Sequence, residues 1–231
     1  MKQLSLFTVL LMAFAVSVAA QNQQIVKKVT VKSNLNLVLG EERFLFDGFK
    51  ESQIFFKNSE VIEVMMNYNL LYDEMLLIVE EGDTLVLKDM SNIAAIAIGE
   101  HFYIYRSKRF HEVLELDTDS EKALLVRKYI DQGTPARYGG YGKVSPTAFI
   151  MIPNEQADGR KLSPSVEYRF QRREAYSLSQ GEKIYTANKK GFLKMFAKHS
   201  KAIESYIKQE SIKFNDEEDI LQLYKYCIAL K

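Results

Sequence analysis

The chain has 231 residues, 47% of them hydrophobic, and its 31 basic and 30 acidic side chains nearly cancel. This composition can bury a sizeable core and excludes wholesale disorder. The charge balance gives no electrostatic reason to expect a nucleic acid as partner. The single cysteine, Cys227, excludes an internal disulfide, so packing must stabilise the fold.

Residues 1–20, MKQLSLFTVLLMAFAVSVAA, combine one basic residue, an apolar centre and small residues at the end. This pattern predicts a secretory signal peptide that is cleaved after Ala20. The alternative is an uncleaved membrane anchor, since the apolar stretch is just long enough to span a bilayer. A lipoprotein is not expected, because lipidation requires a cysteine at the cleavage site. We therefore predict an exported protein, periplasmic or secreted, with no transmembrane segment after cleavage.

Residues 21–187 are predicted to form a β-rich domain. Short runs of β-branched and aromatic residues alternate with a few polar residues, which is typical of an antiparallel β-meander. The connections are too short for the crossover helices of a parallel sheet. We expect an open or partly closed sheet or barrel. The predicted strands are 53–57, 61–66, 75–79, 84–87, 93–98, 102–105, 110–116, 123–130, 166–170, 175–178 and 183–185.

Residues 131–165 interrupt the strands with all four prolines and five of the eleven glycines. This composition predicts a long loop, in which only residues 148–152 have a strand-like pattern. Within it, Arg137–Lys143 (RYGGYGK) sets two tyrosines among glycines. Such a segment is typical of an adaptable contact loop, and the alternative is a flexible structural loop.

Residues 188–231 are predicted to form a helical segment, which places the whole chain in the α+β class. Apolar residues recur there at intervals of three and four, as in about three amphipathic helices. Ser200 is expected to cap the middle helix, and Asn215 the last one. The predicted apolar faces contain Phe192, Leu193 and Phe196, then Ala202, Ile203, Tyr206 and Ile207, then Ile220, Leu223, Tyr224, Cys227 and Ile228.

The start of this segment is basic, with five lysines and no acidic residue between Asn188 and Lys201. One interpretation is a surface that docks on anionic lipids. The other is the solvated face of a helix whose apolar side packs into the core.

The stretch Asn67–Met75, NYNLLYDEM, concentrates tyrosines, asparagines and acids between two predicted strands. A hairpin connection is one interpretation, because Asn tolerates left-handed backbone angles and Asp bonds local amides. A partner-binding surface is the second. A calcium site is the third, although the stretch lacks the ligand alternation and the glycine of an EF-hand loop.

No catalytic, metal or cofactor motif is recognised in the sequence. His101, His111 and His199 have no metal-ligand spacing, and no Gly-x-Ser-x-Gly elbow supports a nucleophilic serine. Cys227 lies on an apolar helix face, which favours a buried thiol over a nucleophile. We expect no cofactor, but a hydrolase assembled from distant residues stays an alternative.

Several segments resemble a group of secreted proteins of unknown function from Gram-negative bacteria. They are FFKNSEVIEVMMNYNLLYDEMLLI (55–78), IAIGEHFYIY (96–105), the glycine-tyrosine loop, and the closing TANKKGFLKMF to YIKQESIKFNDEEDILQLYKYC. The resemblance implies an exported protein with a β-rich body and a helical end. It implies no activity, cofactor or catalytic residue.

We expect an exported, non-enzymatic interaction or structural protein of the cell envelope, whose partner is an envelope protein or a glycan. On that hypothesis, Tyr68→Ala or Tyr141→Ala weakens partner capture with little change in thermal stability. The alternatives are a carrier of a small apolar ligand with a barrel-like body and an unrecognised hydrolase. The expected contact residues are Tyr68, Tyr72, Asp73, Arg137, Tyr138 and Tyr141.

Overall fold

The computed structural model describes residues 24–30, 38–79, 82–133 and 165–230. The predicted signal peptide, the Arg137–Lys143 segment and the predicted strand at 148–152 lie outside these ranges. Within them, no helix combines the length and the apolar character that a membrane crossing requires.

The described residues form one antiparallel sheet of eleven strands followed by three α-helices, which confirms the predicted α+β class. The helices are α1 (Lys189–Met195), α2 (Ser200–Gln209) and α3 (Glu217–Ala229). The strands are β1 (Gln24–Thr30), β2 (Lys50–Phe56), β3 (Val61–Asn69), β4 (Glu74–Ile78), β5 (Thr84–Val86), β6 (Ile93–Ile98), β7 (His101–Arg106), β8 (Arg109–Asp117), β9 (Lys122–Gly133), β10 (Ser165–Gln180) and β11 (Lys183–Thr186).

The sheet consists of two meanders joined side by side. Its order is β1-β10-β9-β8-β7-β6-β2-β3-β4-β5, and β11 pairs with β10 next to β1. Strands β2 to β5 run outward to one edge, and β6 then returns to pair with β2 on its other side. The sheet is open, since β1 and β5 are its two ends.

The sheet curls so that strands far apart in its order meet. Four strands separate β3 from β9, yet the amide of Ile130 in β9 donates to the carbonyl of Leu70, 2.9 Å away, just after β3. The rings of Tyr68 and Phe110 meet across the concave face with centroids 6.0 Å apart. The curl thus encloses a core without a continuous ring of paired strands.

Two clusters of buried apolar side chains result. The sheet cluster fills the concave face and contains Leu39, Ile54, Met66, Tyr68, Leu70, Met75, Ile93, Ile96, Ile98, Tyr103, Phe110, Ile130 and Phe170. The helix cluster lies between the helices and β9–β10, and contains Leu124, Val126, Tyr176, Leu178, Ala187, Phe192, Phe196, Ile203, Ile212, Ile220, Leu223, Tyr224 and Cys227. The β9–β10 hairpin contributes to both clusters, so the helices are docked on the sheet.

Two of the helices begin at a side chain that caps the helix N-terminus. Asn188 caps α1 by accepting from the amide of Gly191, 2.9 Å away. Gly191 is required there because a Cβ atom would lie 1.9 Å from the carbonyl oxygen of Thr186. Asp216 caps α3 and accepts from the amide of Asp219 at 3.1 Å. The predicted caps Asn215 and Ser200 are wrong by one residue each, since Ser200 already belongs to α2 and follows its N-cap, His199.

Candidate functional site

The Asn67–Met75 stretch forms the end of β3, a tight connection and the start of β4. The side chain of the fully buried Asn67 donates to the carbonyls of Phe46 and Gly48, at 3.0 and 2.8 Å, and so fixes the chain before β2. Asn69 accepts from the amide of Leu71 at 3.1 Å, as expected of a side chain that stabilises a turn. The hairpin interpretation is therefore correct for the backbone.

Asp73 is the centre of a buried polar cluster at this connection. Its side chain is 4% exposed and its φ angle is 60°, a left-handed conformation that Asp tolerates better than most residues. One carboxylate oxygen accepts from the Tyr68 hydroxyl at 2.5 Å and from the Phe110 amide at 3.4 Å. The other lies 3.1 Å from Arg127 Nε and 3.3 Å from an Arg109 nitrogen. Asp73 thus ties the β3–β4 connection to β8 and β9.

Burial changes the chemistry of two side chains near this cluster. Burial and the neighbouring Asp73 carboxylate raise the pKa of the Tyr68 hydroxyl, which therefore stays protonated and donates. Burial lowers the pKa of His111, so its imidazole is held neutral. Both effects favour a structural role over a nucleophile or a general acid.

The structure separates the six predicted contact residues into three groups. Tyr68 is 1% exposed and bonded to Asp73, so neither side chain is presented to a partner. Tyr72 is 44% exposed and is available for contact. Arg137, Tyr138 and Tyr141 lie outside the described residues. Because the Tyr68 ring is buried, we no longer expect Tyr68→Ala to leave the thermal stability unchanged; we expect a large loss of stability.

A small cavity adjoins the Asp73 cluster. It has a volume of about 200 Å³ and lies where β5 approaches the start of β8. The rings of Tyr105 and Phe110, whose centroids are 4.9 Å apart, line one wall. The remaining lining residues are Asp73, Glu74, Val86, Leu87, Lys88 and Met90.

The β3–β5 end of the sheet exposes large apolar side chains on both faces. Side chains alternate between the faces of a strand, so Ile62 shares the concave face with the buried Met66, whereas Val61 and Met65 lie on the convex face. Leu85 pairs with Leu77, which pairs with Met66, and so it also faces the concave side. We call Val61, Ile62, Met65 and Leu85 the apolar corner; each is between 39% and 49% exposed.

Strand β5 also offers unpaired backbone groups. Asp83 and Leu87 bond to Val79 and Met75, at 3.1 and 2.9 Å. Because successive residues of a strand direct their backbone groups to opposite sides, Thr84 and Val86 direct theirs away from β4. No strand of the described residues pairs with that side. Sequence reasoning missed this edge, although the short, partly exposed run at Thr84–Leu87 was predicted as a strand.

His101 and Cys227 both have structural roles. His101 Nδ1 lies 2.6 Å from the buried carboxylate of Glu112, which Lys128 Nζ also contacts at 2.8 Å. Cys227 is buried in the helix cluster, and burial raises the pKa of its thiol to about 12. In the part of the chain that the structure describes, no group of three His, Cys, Asp or Glu residues is placed to hold a metal ion.

The basic run at the start of the helical segment is divided by the fold. Phe192 and Phe196 are buried in the helix cluster, whereas Lys189, Lys194 and Lys201 are exposed. The apolar residues between the lysines therefore pack into the protein, and the lysines form a solvated face.

No protein-family model matches the chain, and no curated protein or solved structure matches it either. The resemblance to secreted proteins of Gram-negative bacteria stays a prediction.

Proposed function

We propose that the chain is an exported, non-enzymatic interaction protein of the cell envelope, which captures an extended, apolar segment of a protein partner along β5. The observation that carries the proposal is the free edge of β5, whose central side chain, Leu85, is 49% exposed. An added strand gains main-chain hydrogen bonds from such an edge and specificity from pockets for its alternate side chains. The backbone groups of Thr84 and Val86 favour a polypeptide over a glycan as the partner.

The cavity beside β5 supports this mode of binding. At about 200 Å³ it is smaller than the roughly 300–1,000 Å³ of drug-sized ligand sites. Val86 of β5 and Leu87, the residue after it, both line the cavity, so a side chain of a strand docked on β5 lies close to it. A buried anchor side chain in a pocket is the usual source of most of the binding energy of an interface. The aromatic wall of Tyr105 and Phe110 suits an aromatic or long apolar anchor.

Unoccupied apolar edges are a liability, which is why proteins protect them. Edge strands are commonly shielded by charges, by proline or by a covering segment. In β5 the central side chain is Leu85, and it is 49% exposed. A partner that covers this strand removes apolar surface from water and pairs the free backbone groups in one step.

Site-specific photo-crosslinking in the native host tests the proposal. A photoreactive amino acid replaces Leu85 in one variant and Leu116 in the other. The two leucines are 49% and 53% exposed, but Leu116 pairs with Ala123 of β9 and does not belong to the terminal strand β5. We expect a discrete crosslinked partner from position 85 and not from position 116. Equal labelling from both positions, or from neither, contradicts the proposal.

Two further variants test the binding mode. Val86→Pro removes an outward N–H without removing a bond to β4, and we expect it to abolish the crosslink. Met90→Trp fills the cavity, and we expect it to weaken the crosslink while the edge stays intact. A crosslink that survives both changes rules out strand addition at β5.

The second candidate function is a carrier of a small apolar ligand, which only the aromatic wall of the cavity supports. It requires a molecule that stays bound through purification. Mass spectrometry of an organic extract from protein purified out of its native host decides the matter. One reproducible small molecule, absent from extracts of Met90→Trp, supports the carrier function. Extracts without any bound molecule contradict it.

A further inference from the structure

Positive charge is concentrated in one part of a chain that is balanced overall. Residues 188–213 contain seven lysines and two glutamates, a net charge of +5, while the full chain has a net charge of +1. Charge segregated in this way creates a local potential that attracts anions, even where the whole molecule is neutral. The structure shows how part of this charge is arranged.

A groove of about 620 Å³ lies beside α2 and the start of α1. The groove is shallow and widely open to solvent. On α2, Lys201, Ser205 and Lys208 follow each other at intervals of four and three, so they lie on one face of the helix. The groove is lined by Lys189, Lys201, Glu204, Ser205, Ile207 and Lys208.

One of the three lysines in this lining is neutralised and two are not. Lys189 Nζ lies 2.9 Å from a carboxylate oxygen of Glu204. Among the described residues, no acidic side chain forms an ion pair with Lys201 or Lys208. Two unpaired ammonium groups on one helix face together attract an anion that lies between them.

The chemistry of the lining indicates the class of anion. A lysine ammonium is a compact point charge on a flexible stem, which suits phosphate oxygens without a fixed bidentate geometry. The stems of Lys201 and Lys208 start about 10 Å apart, from seven residues at 1.5 Å each, and both can reach a common centre. We propose that this groove binds a phosphate-bearing anion through Lys201 and Lys208. The proposal does not depend on partner capture at β5.

Two probes distinguish the two sources of such a group. The first is co-sedimentation of the full chain with vesicles of phosphatidylglycerol and phosphatidylcholine, compared with phosphatidylcholine alone. The second is calorimetric titration with inorganic pyrophosphate. Binding to the anionic vesicles assigns the groove to a lipid headgroup, and binding to pyrophosphate alone assigns it to a soluble phosphate. Binding to neither overturns the proposal.

Charge-matched variants separate the groove from general basic attraction. Lys201→Gln with Lys208→Gln removes two charges from the groove, and we expect binding to weaken at least about tenfold, since each lysine near an anionic surface contributes substantially. Lys190→Gln with Lys198→Gln removes the same charge from exposed positions outside the lining, and we expect a change below about threefold. Equal losses in both double variants overturn the proposal.

A third variant is expected to bind the anion more tightly than the wild type does. Glu204→Gln releases Lys189 and removes the only carboxylate among the lining residues of the groove. We expect tighter binding, by roughly threefold to tenfold, and a steeper decrease with added salt. All these side chains are exposed, so an unchanged thermal transition checks that the variants are folded. Weaker binding by Glu204→Gln contradicts the assignment.

Discussion

The two hydrophobic clusters are built on different principles. In the helix cluster, α3 supplies Ile220, Leu223, Tyr224 and Cys227 at helical intervals from one short segment. In the sheet cluster, neighbours such as Tyr68 and Phe110 come from strands far apart in the chain. The contact between these strands also depends on the ion pairs that Asp73 forms with arginine side chains. Local periodicity therefore specifies one cluster, and long-range polar contacts complete the other.

Tyr68→Ala is expected to show the largest effect, on the sheet cluster. It removes a fully buried ring, at a cost of about 4 kcal/mol in the free energy of unfolding, and leaves Asp73 without its shortest hydrogen bond. Urea denaturation of the purified variant measures the loss. A change below about 1 kcal/mol, the range of ordinary substitutions, shows that the ring is not a core residue.

Leu223→Ala tests the helix cluster in the same way. The side chain is fully buried, so we expect a loss of about 3 kcal/mol. Because the β9–β10 hairpin belongs to both clusters, we also expect a single transition, with coincident curves from near-UV and far-UV circular dichroism. Two separate transitions indicate that the clusters unfold independently.

Tyr68→Phe separates the contribution of the hydrogen bond to Asp73 from that of the packing of the ring. Only the hydroxyl that donates to Asp73 is lost, and we expect a cost of about 1–2 kcal/mol in unfolding free energy. Tyr72→Phe, in the same connection but 44% exposed, is the control and is expected to change it by less than about 0.5 kcal/mol. Similar changes in unfolding free energy for the two variants would show that the hydrogen bond from Tyr68 to Asp73 does not stabilise the fold.

Glu217→Gln, at the start of α3 beside the helix cluster, is expected to have the smallest effect. Its carboxylate lies 3.2 Å from the Tyr176 hydroxyl, and partial burial, with Glu174 and Glu112 nearby, raises the pKa of Glu217. A raised carboxyl pKa means that the folded state binds the proton more tightly, so the stabilisation is present at low pH and is lost as pH rises from the ordinary glutamate value through the raised one. Urea unfolding at pH 4 and pH 7 should show the variant gaining stability relative to the wild type only at pH 7. A constant difference between the two pH values contradicts this assignment.

Much of the fold could be predicted from local pattern, and its departures have physical causes. The β6 strand at 93–98 follows from a short apolar run, and the three helices follow from helical spacing. Strand β10 was predicted as two strands because the polar Gln171–Glu174 run breaks the apolar pattern. In the structure that run continues the strand, and Arg172 donates to the carbonyls of Glu42 and Phe44 at 3.1 and 3.0 Å. A prediction from apolar runs cannot see a strand that is held by such contacts.

Long-range pairing was the second source of difference. Strand β1 pairs with β10, Gln24 opposite Gln171, and the short β1 run has no local partner to indicate it. The return of β6 to β2 is equally invisible to a meander prediction. For the site, the concentration of polar residues in Asn67–Met75 did mark an important position. The partners of the buried Asp73, however, are Arg109, Phe110 and Arg127, which no sequence window joins to it.

The β9–β10 hairpin has a consequence for how the molecule can be divided. Twelve residue pairs join β9 to β10, from Lys122 with Gln180 to Gly133 with Arg169. Residues 165–230 therefore carry β10, β11 and the three α-helices, while residues 24–133 carry the other strands and most of the sheet cluster. A chain cut between Gly133 and Ser165 retains all the pairing and packing described above. We therefore expect the two fragments, when they are produced separately, to reassemble into one molecule by pairing of β10 with β9.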